Sequence, residues 1–221
     1  GLAVQVVAKE DKQTQSYFDI DVQKDFSKFD IEKLSKNVVD RAVAMLSALP
    51  VDSNDYDVIF ENKTMIDLLA AFSPVFSGEE AMEKATQLSD KIGQVIANEK
   101  VNIIEDPFHK NAIFNDSFDD EGVATYKKSI IENGKLLTLL HNLKSAKYFK
   151  TKSTGNGVKK GSGIGIGNYN LFIGPGEKSL DQIIKETKNG LLITKIAGLH
   201  AGVNCVSGDF SLQSSGFHIV D

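Results

Sequence analysis

Val123-Ala-Thr-Tyr-Lys-Lys-Ser-Ile-Ile-Glu-Asn-Gly-Lys-Leu-Leu137 decides the fold class. Apolar residues lie on both sides of Asn133-Gly134, and an Asn-Gly pair accepts the positive φ that both central positions of a two-residue hairpin turn require. The stretch therefore reads as a β-hairpin. Working outward, Val101 to Ile104, Asp57 to Phe60 and Leu171 to Ile173 are short apolar strands, and Leu191 to Ile196 and Asp209 to Ile219 add β-structure broken by glycine turns. Leu2, Val4 and Val6 alternate with small or polar residues, and Tyr17, Phe18 and Ile20 follow the polar stretch Lys9 to Ser16, predicting two strands joined by a loop.

Helices interrupt this β-pattern. Ile31, Leu34, Val38, Ala42, Met45, Leu46 and Leu49 fall three or four apart between a capping Asp30 and a terminating Pro50. Met65 to Phe72 is apolar on nearly all sides and predicts a buried helix. Ser77 and Glu80 have the spacing of a capping box ahead of Ala81, Ala85, Leu88, Ile92 and Ile96, a second amphipathic helix, and Ser179 with Gln182 boxes a short helix ending at Gly190. Asp106 to Asp120 reads as a polar loop and the glycine-rich stretch Gly155 to Gly167 as a mobile connection. The expectation is an α+β fold with mixed, mostly antiparallel sheets and packed helices. No repeat and no linker divides it, so residues 1–221 read as one domain.

Composition narrows the function classes. The 221 residues are 41% hydrophobic and 25% charged with a formal charge of -5, a globular balance that excludes intrinsic disorder. An acidic chain repels phosphate backbones, and its densest basic group is only Lys144, Lys147, Lys150 and Lys152 followed by Lys159 and Lys160, so no nucleic-acid partner is expected. The single Cys205 forms no internal disulfide, which fits the cytoplasm. No apolar run reaches the roughly 18 to 20 residues of a membrane span, so no membrane partner is expected. The chain opens Gly1-Leu2-Ala3 without a Met and stops at Asp221 as an alternating pattern sets in, which reads as a fragment of a longer protein.

Candidate chemistry is sparse. The histidines, at 109, 141, 200 and 218, stand too far apart for a helical zinc motif. Asn115-Asp-Ser-Phe-Asp-Asp-Glu-Gly122 departs from a calcium-loop pattern and reads as a solvated turn. Gly161-Ser-Gly-Ile-Gly-Ile-Gly167 matches no phosphate loop or nucleophile elbow. Cys205 with His200 would make a thiol and base only if the fold brought them into contact.

Taken in order, several stretches nevertheless resemble one family. Phe118-Asp-Asp-Glu-Gly-Val-Ala-Thr125, Ile131-Glu-Asn-Gly-Lys-Leu136, Ser145-Ala-Lys147 before Lys152-Ser-Thr-Gly-Asn156, and Gly198-Leu-His-Ala-Gly-Val-Asn204 with Ser207-Gly-Asp-Phe-Ser-Leu212 resemble the TldD/PmbA proteins, formerly called modulators of DNA gyrase. Ile92-Gly-Gln94 and Glu105-Asp-Pro107 fit the same order.

The resemblance implies a cytoplasmic zinc peptidase of two related subunits. The TldD-like subunit carries a HExxxH helix with a metal-binding cysteine near the C-terminus. The PmbA-like, or TldE, subunit lacks these groups. An ungapped register puts Leu69 and Ala70 at the first His and the Glu, and Pro74 at the second His, and no His precedes His109. The family's metal cysteine would fall beyond Asp221, so Cys205 is not expected as a ligand. The chain then reads as the C-terminal domain of a PmbA/TldE-like subunit, with no catalytic residue, no metal ligand and no cofactor of its own. Zinc is expected in a TldD-like partner, in a heterodimer or higher oligomer, with homodimerisation as the alternative. Extended peptides are the expected substrates. Contact residues are expected at Asp119, Asp120, Glu121 and Gly122, at Ser153, Thr154, Gly155 and Asn156, and at His200 and Asn204. Two other functions remain open at this point: an independent peptidase acting through residues such as His200 and Cys205, and a protein-binding modulator of DNA gyrase.

Overall fold

The computed structural model describes residues 1–113 and 115–220. Phe114, within the expected polar loop, and Asp221, two residues past the last expected β-stretch, lie outside the described residues. The chain separates into two compact units, Gly1–Asn54 and Asp55–Asp221. Among the described residues no helix is long and apolar enough to cross a membrane.

The first unit is a hairpin, β1 (Leu2–Glu10) and β2 (Gln13–Asp21), carrying a helix, α1 (Ile31–Ala44). The strands pair from Leu2↔Asp21 to Glu10↔Gln13. The polar stretch expected as a loop is thus mostly strand. It turns on Asp11 at φ 47, a left-handed conformation that Asp tolerates better than most side chains. Asp30 caps α1 by accepting the Lys33 N–H at 2.9 Å, and Leu34, Val38 and Ala42 form its buried stripe. The helix stops at Ala44 and a 3-10 turn follows. Leu46 is buried on this turn, but the chain is extended by Ala48 and Leu49 leaves the stripe for solvent.

The second unit begins with β3 (Asp57–Phe60), α2 (Asn62–Phe72) and α3 (Gly78–Met82), followed by β4 (Ile103–Glu105), β5 (Lys128–Glu132), β6 (Lys135–Leu136) and α4 (Leu143–Tyr148). It continues through β7 (Gly157–Lys160), β8 (Gly163–Ile166), β9 (Leu171–Ile173), α5 (Leu180–Glu186), β10 (Asn189–Ala197), α6 (Leu199–Gly202) and β11 (Gln213–Val220). One sheet is antiparallel in the order β6-β5-β4-β9, and a second runs β11-β10-β3, its β10–β3 pair being parallel. The fold is α+β with mostly antiparallel sheets. Asn133 and Gly134 take φ 47 and 75, so the β5–β6 turn is the one its dipeptide predicts. Ile130 and Ile131, adjacent and both buried, show that β5 is covered on both faces. They join Phe76, Ala81, Ile103, Leu136, Leu139, Leu140 and Ile166 in the core.

Four expectations fail here for local reasons. The glycine-rich stretch is a hairpin, β7–β8, turning at Gly161-Ser162 rather than a mobile connection. Residues 81–96 do not form a long helix, because α3 ends at Met82 in a Schellman motif: Lys84 adopts φ 57, Lys84 N–H donates to the Ala81 carbonyl and Ala85 N–H to that of Glu80. Lysine occupies the position where a glycine would have signalled the stop. Leu88 and Ile96 still reach the core, but from an irregular segment whose Ile96 N–H bonds the Gly134 carbonyl. Helix α2 forms as expected, yet Ile66 is 63% exposed and only Thr64 and Leu68 are buried. The capping box of Ser179 and Gln182 is complete, but α5 ends at Glu186. Gly190 belongs to β10, where a Cβ would stand 2.5 Å from the Asp57 carbonyl oxygen.

Candidate functional site

The sheet register creates the central polar arrangement. β4 and β5 pair Glu105 with Lys128, and both side chains point into the interior. The Lys128 ammonium lies 2.7 Å from Glu105 Oε2 and 3.2 Å from Asn156 Oδ1, while Asn156 Nδ2 donates to Glu105 Oε1 at 2.7 Å and to the Gly167 carbonyl at 2.8 Å. Glu105 Oε1 also accepts the Tyr169 N–H at 3.0 Å. A buried charge is tolerable only when paired and fully hydrogen-bonded, and here both carboxylate oxygens are engaged.

The network extends through Thr154, whose hydroxyl donates to Asn156 Oδ1 at 2.8 Å and accepts the His141 N–H at 2.7 Å. His141 is buried, with Nδ1 3.1 Å from Ser145 Oγ and its ring against Phe149. Burial lowers its pKa, favouring the neutral imidazole. The ring fits because residue 78 is glycine: a Cβ there would lie 2.4 Å from His141 Nδ1. Asn142 caps α4 by accepting the Ser145 N–H, and its amide donates to Glu79 Oε1 at 3.0 Å.

The structure brings two of the expected contact segments together. Asp119 is buried, its Oδ1 accepting the N–H groups of Glu121 and Val123 and its Oδ2 that of Gly157 at 2.8 Å. Asp120 Oδ2 accepts the Lys159 N–H at 2.6 Å, Glu121 Oε2 accepts the Leu143 N–H at 2.7 Å, and Gly122 takes φ 78 to close the turn. Ser153 donates to the His141 carbonyl at 3.0 Å. Gly155, at φ 68, lets the backbone of Ala124 approach so closely that a Cβ would meet its carbonyl oxygen at 2.5 Å. Asp119, Asp120 and Glu121 thus spend their carboxylates on backbone N–H groups, among them that of Gly157 next to the second segment, while Asn156 spends its amide on the Glu105–Lys128 pair. At the rim the Lys128 ammonium lies 4.6 Å from the centre of the half-exposed Tyr126 ring. The Tyr169 hydroxyl is pushed up to about 12, first by burial and then by the carboxylates of Asp119, Asp116, Asp120 and Glu105.

Glu105, Lys128 and His141 were not singled out by sequence as chemical groups. A lysine two residues before Ile130 in a strand pattern was the available signal, since that parity points to the same face as a buried isoleucine.

His200 and Asn204 belong to a different region. α6, which carries exposed His200, packs beside α2, and Asn204 Oδ1 accepts the N–H groups of Val206 and Ser207 in the turn that follows. The Cys205 thiol donates to the Ala71 carbonyl at 3.3 Å, and burial, then Glu80, raises its pKa away from the reactive thiolate. Rings of Phe72 and Phe210 meet edge to face. In the register given by the resemblance, half-buried Leu69 adjoins the core, Ala70 is exposed, and Pro74 lies past the end of α2 in a 3-10 turn. Zinc does not fit these three residues, because two hydrocarbon side chains and a proline ring offer no lone pair to a metal. Among the described residues no three His, Cys, Asp or Glu side chains are gathered as a metal set.

An α+β unit built around these blocks defines a domain of the PmbA/TldD type. The model of the PmbA/TldA metallopeptidase C-terminal domain matches residues 53–221, and the chain belongs to this family. Metalloprotease PmbA of Escherichia coli O157:H7 is 31% identical over 179 residues, covering 81% of this chain and 38% of that protein. A crystal structure from Thermotoga maritima, of a candidate modulator of a DNA gyrase, aligns with a TM-score of 0.91 at 33% identity over 99% of this chain and 50% of that one. TldE from Thermococcus kodakarensis aligns with a TM-score of 0.76 at 31% identity, covering 89% of this chain and 45% of that one. The chain spans less than half the length of the curated relatives it matches.

Proposed function

We propose that this chain is part of the non-catalytic, PmbA/TldE-like subunit of a cytoplasmic TldD-type zinc metallopeptidase complex that cleaves peptide or unfolded substrates. The observation that carries the reading is the α2 region. A zinc peptidase needs a metal-bound water activated near neutral pH and a carboxylate to accept its proton. Leu69, Ala70 and Pro74 supply neither ligand nor base at the positions where the resemblance puts them. The partner would bring the HExxxH helix and the zinc. This chain would contribute a rigid wall, its loop 153–156 fixed by the Glu105–Lys128–Asn156 network and its loop 119–122 by the hydrogen bonds of Asp119, both available to position extended peptides through main-chain hydrogen bonds. Cys205 acting with His200 is disfavoured by the thiol's bond to Ala71 and its raised pKa.

Reconstitution tests the reading. The full-length protein mixed with a HExxxH-bearing partner is expected to form a stable complex that cleaves unfolded peptides faster than the partner alone. Peptide cleavage by this protein alone, abolished in Cys205→Ala, would establish the independent peptidase instead.

A further inference from the structure

We propose that the outer face of α4 and the turn after it, formed by Lys147, Tyr148, Lys150 and Lys152, is a docking surface for a polypeptide segment rich in Asp and Glu. The inference goes beyond the peptidase reading and requires neither a metal nor a second subunit. Residues 133–176 contain seven lysines and no acidic residue, although the whole chain carries a formal charge of -5, so positive charge is concentrated in one part of the sequence. In the fold, Ser145 and Ala146 turn inward from α4 while Leu143, Lys144, Lys147 and Tyr148 face solvent, and Lys150 and Lys152, in the turn that follows, are exposed as well. The two ends of α4 differ. At the N-terminal end, charge is answered: Lys144 lies 3.7 Å from Glu79, and Glu121 accepts the Leu143 N–H. At the C-terminal end none of Lys147, Lys150 and Lys152 meets a carboxylate among the described residues.

Tyr148 supplies the apolar part of the surface. It is 60% exposed, yet its ring is pinned edge-on against Phe149 at 4.9 Å, and Phe149 packs onto the core. A fixed aromatic with three exposed lysines, Lys147, Lys150 and Lys152, within four residues of it gives an incoming segment an anchor as well as charge, the combination enriched in recognition surfaces. Lys150 adds a third observation. It holds φ 54 at the end of α4, where Lys150 N–H donates to the Lys147 carbonyl and Thr151 N–H to that of Ala146. Glycine would occupy this left-handed position with less strain.

The chemistry favours carboxylates on a polypeptide over nucleic-acid phosphates. Lysines are point charges without the planar fork that grips phosphate. A single exposed ring is too little for successive base stacking, and the chain's net negative charge opposes a dense polyanion.

The test is an anisotropy titration of the full chain with a rhodamine-labelled peptide of alternating Glu and Tyr, at low and at physiological ionic strength. Saturable binding that weakens with salt is expected. The double variant Lys147→Glu/Lys152→Glu should weaken it about tenfold or more. Lys150→Gly should weaken it a few fold while leaving the unfolding midpoint unchanged or raised, an outcome that a purely structural lysine would not produce. Absence of saturable binding, equal binding by both variants, or stronger competition from a single-stranded oligonucleotide or anionic vesicles would overturn the proposal.

Discussion

The region around Glu105, Lys128 and Asn156 and the region of α2 and α6 are both built from stretches that resemble the same family, but they treat polarity in opposite ways. In the first, charged and amide groups are buried and each oxygen of Glu105 finds donors. In the second, the positions where the resemblance puts ligands carry a leucine, an exposed alanine and a proline beyond the helix end. The contrast teaches that family-like wording can mark a scaffold as readily as a reaction centre. Asp119, Asp120 and Glu121 are expected from the sequence as contact residues on a solvated turn, yet in the fold their carboxylates hold backbone N–H groups of Gly157, Lys159 and Leu143. What they fix is the position of loops.

If that contrast is right, the largest effect comes from the buried pair. Lys128→Met leaves the Glu105 carboxylate without its cation and should cost about 3 to 5 kcal/mol of stability in urea unfolding. A loss below about 1 kcal/mol would mean that solvent reaches Glu105 and the network is not a scaffold. A smaller effect belongs to His141. Because its folded pKa lies below the ordinary 6.5, stability from the neutral ring is fully present above pH 6.5 and is lost as pH falls toward the folded value. The unfolding midpoint should therefore drop on acidification below pH 6.5, and the slope over that window should flatten in His141→Asn. The smallest effect is expected in the other region: Ala70→Glu, on the exposed side of α2, should change stability by no more than about 0.5 kcal/mol. A large loss there would show that α2 is packed far more tightly than its exposure indicates.

The sequence made the scaffold's frame legible and its interior much less so. The β5–β6 turn could be read because Asn133-Gly134 states its own backbone geometry, and α1 because Asp30 and a stripe of Leu34, Val38 and Ala42 leave little choice. The end of α3 was hidden because Lys84 does a glycine's work, and the β7–β8 hairpin because glycines, poor strand formers, alternate with only two isoleucines in Gly163-Ile-Gly-Ile-Gly167. Segments 119–122 and 153–156 are expected from the sequence as contact surfaces, but nothing in it marks them as neighbours. Their union depends on Asp119 reaching Gly157, 38 residues away, through a hydrogen bond that no local pattern encodes. The Glu105–Lys128 pair depends likewise on strand register. His200 and Asn204 were grouped with them by sequence and are separated by the fold.

Where the metal resides decides whether this chain belongs to the non-catalytic subunit. Elemental analysis of zinc should be made on the purified full-length protein alone and on its complex with a HExxxH-bearing partner. Negligible zinc is expected in the protein alone and about one zinc per partner subunit in the complex, lost when the partner's motif is mutated. Stoichiometric zinc retained by this protein alone, and held by its own side chains, would contradict the non-catalytic assignment.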